Sequence, residues 1–176
     1  MEERERERVQ AAPGGRPSPS AAQARRLVAL ARERGAEAVP ALRAFLRHRD
    51  PWVRLHAVQG LATIDDADAR AGLIGALHDD NFGVHQAAAR ALAGAGRTAT
   101  VAVLEALVRD QPSTGFLHGA AHVLKHARLT PEDRAAVAPV VDAFRQTAVP
   151  EPASSMVAGL LLQGWVLRRR RARLLA

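Results

Sequence analysis

The chain has 176 residues, 48% of them apolar but only 3% aromatic, with no Tyr and no Cys. Disulfides, thiolate metal sites and a Cys nucleophile are excluded, and the core must be filled by Ala, Leu and Val, which suits closely packed helices better than a β-sheet. The net charge of +7 is distributed unevenly: residues 1–19 balance four Arg with four Glu, 20–128 carry +4 and 129–176 carry +3, with five Arg in 164–176 alone; a broad nucleic-acid-binding face would spread its cations differently.

Residues 1–8 alternate Glu and Arg after Met1 and have no apolar stretch, so a secretory leader is not expected and the cytoplasm is the expected location. Ala11 to Pro19 is rich in Pro and Gly and breaks regular structure, so 1–19 reads as a flexible tail. Order is expected from Ser20, an N-cap, through a helix with Leu27, Leu30 and Ala31 on one side, ending at Gly35. A second helix follows from Glu37, with Pro40 in its first turn and Leu42, Phe45 and Leu46 along its stripe.

From here the sequence repeats. Asp50-Pro51-Trp52-Val53-Arg54-Leu55-His56-Ala57-Val58-Gln59-Gly60-Leu61 returns 31 residues later as Asn81 to Leu92, and after 32 more as Ser113 to Leu124. The columns agree: a cap (Asp50, Asn81, Ser113), then Val53, Val84 and Phe116, then Ala57, Ala88 and Ala120, then Leu61, Leu92 and Leu124. The preceding helices align too, Leu42 and Leu46 with Leu73 and Leu77. Spacing of i, i+4, i+8 puts each apolar set on one helical stripe. The central Ala admits a close neighbour, and one helix pair cannot bury its own stripe, so pairs stack. A looser fourth unit begins at Thr130-Pro131, continues through Val137, Val140, Val141 and Phe144, and is broken by Pro150-Glu151-Pro152. The array is therefore expected over 20–152, with 153–176 as a capping helix.

The motif Asp50-Pro51-x-Val53-Arg54-x-x-Ala57-Val58-x-x-Leu61 resembles HEAT repeats, in particular the short bacterial variety also found in phycobilin lyase subunits. The resemblance covers about residues 37–127. The motif Arg is kept at Arg54 and becomes His85 and Leu117. It implies an all-α fold, a right-handed α-α superhelix (a HEAT-like solenoid) of about four helix pairs, with the second helix of each pair facing the inner, concave surface.

In that register Leu55, Gln59, Gln86, Arg90, His118 and His122 form the expected binding face, uncharged apart from Arg90 and so suited to a protein or peptide. His118, His122 and His126 lie at i, i+4, i+8, a spacing at which two imidazoles can share a metal. With Gly119 next to His118 and no third ligand standing out, they read as solvated histidines, and no metal or cofactor is expected. Trp52 is expected to pack beneath the inter-repeat turn; an exposed Trp would instead anchor a partner. The apolar run to Leu167, followed by Arg168, Arg169, Arg170, Arg171 and Arg173, is too short to span a bilayer. It reads as the capping helix, the alternative being contact with an anionic membrane surface. Asp65, Asp66, Asp68, Asp79 and Asp80 fall at helix starts and turns, where they complement helix dipoles. No catalytic constellation is present, so the expected function is a protein-interaction module rather than an enzyme. A nucleic-acid-binding protein, like the DNA glycosylases with a similar superhelix, and a lyase-type accessory subunit are the alternatives. A nucleic-acid partner is the less expected, because it needs a row of cations on the inner face.

Overall fold

The computed structural model describes residues 19–109, 113–146, 159 and 163–164. Those residues are helical apart from short turns, in the order α1 (Pro19–Arg34), a 3-10 turn (Gly35–Ala38), α2 (Val39–Phe45), α3 (Pro51–Leu61), α4 (Ala67–Ala76), α5 (Phe82–Gly94), α6 (Arg97–Arg109), α7 (Thr114–His126) and α8 (Pro131–Gln146). The chain is thus an all-α solenoid of helix pairs: α2 with α3, α4 with α5 and α6 with α7.

Side-chain caps set the helix starts. The first-turn N–H groups lack intrahelical acceptors, and Asp50 takes that of Trp52, Asp66 those of Asp68 and Ala69, Asn81 that of Val84, and Ser113 that of Phe116. Thr130 caps α8 through the N–H of Asp133 at 3.1 Å. Helix α1 begins at Pro19, two residues before Ala21, so Ser20, expected as the N-cap, lies inside it; proline fits the first helical position because its missing N–H has no acceptor there anyway. Gly35 ends it at φ +55° and opens a 3-10 turn before α2, so the helix expected from Glu37 starts as a tighter coil.

The repeat columns define the interior. Val53, Val84 and Phe116 are buried, as are Ala57, Ala88 and Ala120, and Leu61, Leu92 and Leu124. Successive second helices lie side by side, α3 on α5 and α5 on α7, and α1 extends this row by packing on α3. The first helices α2, α4 and α6 form the other layer, and α8 packs against α7. Leu42, Leu73 and Leu77 project from the first layer into the seam, and Val137 and Val140 bring α8 into it, with Val141 and Phe144 partly buried beside them. Of the tail expected over 1–19, residues 1–18 lie outside the described residues and Pro19 is part of α1; most of the cap over 153–176 also lies outside them, with Gly159, Gln163 and Gly164 helical.

Candidate docking face

With the Val/Phe, Ala and Leu columns turned inward, the opposite arc of α3, α5 and α7 faces out. The expected row falls there. Gln59, Arg90 and His118 are exposed, while Leu55, Gln86 and His122 are half-buried, Leu55 resting on the core. Arg90 on α5 is close enough to His122 on α7 for its charge to act on that imidazole. Burial, with the neighbouring charges of His126, Arg90 and Lys125, holds His122 below the ordinary imidazole range. The His122 and His126 rings are 4.6 Å apart. Among the described residues no group of three or more His, Cys, Asp or Glu is placed to hold a metal ion.

Trp52 does not pack beneath the turn. It is 64% exposed, and Phe82, at the first position of α5, is 71% exposed. The turn is filled instead by an ion pair. Arg54 Nε and Nη2 donate to Asp79 Oδ2 and Oδ1 at 2.6 and 2.8 Å, and Arg54 Nη1 donates to the carbonyls of His48 and Arg49 at 2.8 and 3.2 Å. Asp79 raises the Arg54 pKa further above its ordinary value. The indole at the second position of α3 stands on the surface. Pro51, Trp52, Leu55, Asn81 and Gly83 line a shallow cavity of about 210 Å³ between the starts of α3 and α5. Phe82 was not singled out from the sequence. Its register gave no such signal, because Phe82 shares a stripe with buried Ala89 and Ala93; it stands in water at the first position of the helix.

The loss of the motif Arg is partly compensated. His85, in the Arg54 column, keeps one of its interactions, with Nδ1 at 3.3 Å from the carbonyl of Asp79, six residues back as His48 is from Arg54. Leu117 in the third copy is buried. The first-helix layer holds a larger groove of about 430 Å³ between α4 and α6, but its Arg70 and Arg97 are engaged by Asp65 at 2.6 Å and Asp133 at 3.6 Å. Of the acidic residues expected at caps, Asp66 caps α4 and Asp79 accepts from the N–H of Asn81, while Asp68 meets Arg43 at 3.4 Å.

Comparison with known families agrees with this geometry. The HEAT-repeat profile ("HEAT repeats") matches residues 16–93 and again 39–125, together more than half of the chain. The chain belongs to the HEAT-repeat family. HEAT repeats generally serve as protein-interaction scaffolds and are typically non-enzymatic. No curated protein and no solved structure matches the chain. The likeness to phycobilin lyase subunits therefore rests on the repeat motif alone. Among the described residues no helix is long and apolar enough to cross a membrane. The arginines 168–171 and 173, expected at the end of the capping helix or on an anionic surface, lie outside the described residues.

Proposed function

We propose that this HEAT-repeat chain is an interaction adaptor that docks a protein or peptide on the face of its second helices, with Trp52 and Phe82 as anchors. The observation that carries this reading is the placement of those two rings. The chain has only six Trp and Phe residues, each a large apolar area that a core of Ala, Leu and Val would gain from burying. Two of the six stand mostly in water at the starts of adjacent helices. Exposed aromatics beside a shallow apolar cavity have the make-up of interface anchors. Leu55, Gln59, Gln86, Arg90, His118 and His122 continue the face as its mixed surround. The duplex-binding alternative draws little support, because Arg54 is committed to Asp79 and Arg90 is left without a row of cations.

The test is affinity capture from native cells with the intact chain, quantified by mass spectrometry. A partner retained by the wild type and by Ala71→Arg, on the other layer, is expected to be lost by Trp52→Ala/Phe82→Ala. A partner held equally by the double variant overturns the assignment. Salt-sensitive retention of duplex DNA in its place supports the alternative.

A further inference from the structure

Helices α3, α5 and α7 contain no Asp or Glu. The chain has 18 acidic residues in 176, so the 37 positions of these helices would hold about four at the average density. They carry instead Arg54, Arg90, Lys125 and five of the seven histidines: His56, His85, His118, His122 and His126. Arg54 is paired with Asp79. Arg90 and Lys125 are exposed, and no carboxylate pairs with either among the described residues. Asp50 and Asp80 stand at the aromatic end, where the helices start, and Asp65, engaged by Arg70, borders the same cavity as Arg90. Arg90 and Lys125 stand in the later turns. The face therefore has a polarity: exposed rings at one end, and Arg90 and Lys125, with no ion pair of their own among the described residues, at the other.

We propose that the occupant of this face is an acidic peptide segment with an apolar anchor, its apolar side chain set between Trp52 and Phe82 and its carboxylates on Arg90, Lys125 and the His118–His122–His126 row. This rests on the docking reading above and adds the partner's chemistry. Charge complementarity favours carboxylates, because Arg90 and Lys125 would repel a basic segment there. The rings favour a peptide over a polyphosphate, since two fixed cations make a weak phosphate track. The geometry also sets a spacing. Phe82 and Arg90 are eight residues apart on one helix, about 12 Å along its axis. An extended partner covers that in about four residues.

Protonation reinforces the match. The groups that act on His122 are His126 and Lys125 of its own helix and Arg90 of α5, and none of them is a carboxylate. Carboxylates arriving there favour the imidazolium, so binding takes up protons and strengthens as pH falls from 7.5 to 6.

Selection of a random twelve-residue display library on the intact chain tests this. The expected consensus has one aromatic or Leu followed or preceded by Asp/Glu about four positions away. A fluorescent peptide of that consensus is expected to lose about 30-fold in affinity with Trp52→Ala/Phe82→Ala. With Arg90→Gln or Lys125→Gln it is expected to lose about two- to fivefold each. His122→Gln is expected to flatten its pH dependence. Peptides that need the two rings but are neutral or basic overturn the acidic partner and leave the docking site standing. Selection that ignores the ring substitutions, or no enrichment at all, overturns the docking site itself. Binding of a duplex oligonucleotide with no peptide enriched assigns the cations to nucleic acid instead.

Discussion

Removing the Arg54 guanidinium should cost more than its place near the surface implies. The pair is bidentate, and the side chains of Arg54 and Asp79 are only 17% and 9% exposed. In Arg54→Ala the Asp79 carboxylate keeps one donor, the N–H of Asn81 at 2.9 Å, and the carbonyls of His48 and Arg49 lose theirs. Breaking a buried pair costs about 3–5 kcal/mol and an exposed one under ~1. The small access to water at Asp79 places this variant at about 3 kcal/mol. Asp79→Asn keeps the shape and one acceptor and should cost about 2 kcal/mol. The double variant Arg54→Ala/Asp79→Asn leaves no orphaned charge, so the two costs should fall short of additivity by about 1–2 kcal/mol. Urea unfolding followed by circular dichroism gives these values. Hydrogen exchange locates them, because stability in a repeat array is a sum of local and neighbour terms and the loss should concentrate in α3 and α4. A single-variant cost under 0.5 kcal/mol would make the pair an ordinary surface contact and refute the reasoning.

Other consequences can be checked one at a time. The seam admits no bulk, so Ala88→Leu should destabilise by about 1–3 kcal/mol in thermal unfolding, while Leu92→Ala should cost about 2–5 kcal/mol by leaving a cavity. Gly96 sits at φ +68°, and a Cβ there would lie 3.0 Å from the carbonyl oxygen of Arg128; Gly96→Ala should cost at least ~1 kcal/mol. His122 has a depressed pKa in the folded chain, so the unfolded chain binds the proton better. Stability is therefore unpenalised above the unfolded value near ~6.5 and falls as pH drops below it. His122→Gln should flatten the unfolding midpoint over that range, and an unchanged slope would contradict it.

The array was legible because its information is local and repeated. Asp50, Asn81 and Ser113 announce helix starts, and the Ala57, Ala88 and Ala120 column marks the seam three times over, so an error in one copy is corrected by the others. The outward row from Leu55 to His122 follows from the same register. Trp52 was misread because its apolar area argues for burial, and the turn's ion pair, Arg54 with Asp79 25 residues away, is a long-range contact that the repeat pattern does not encode. Lys125 and Phe82 were overlooked as parts of the face because neither belongs to a recurring column. Phe82 shares its stripe with buried Ala89 and Ala93 and is exposed only because it stands at the helix start.

The turn between α4 and α5 also explains how repeats with such different residues stay in one register. The column that reads Arg54, His85, Leu117 lost its shared chemistry, yet residues 77–80 touch three consecutive second helices. Asp79 holds Arg54 of α3, its carbonyl lies against His85 of α5, and His78 stacks on Phe116 of α7 with centroids 4.5 Å apart and its Nδ1 3.1 Å from Ser113 Oγ. Each junction therefore has its own fastener, an ion pair on one side and a ring stack on the other, so the two should fail independently. His78→Ala should speed hydrogen exchange at the start of α7 and leave α3 unchanged, Arg54→Ala should do the reverse, and Asp79→Ala should reach both α3 and the first turn of α5. If His78→Ala loosens α3 as much as α7, the turn acts as one cooperative unit rather than as separate fasteners.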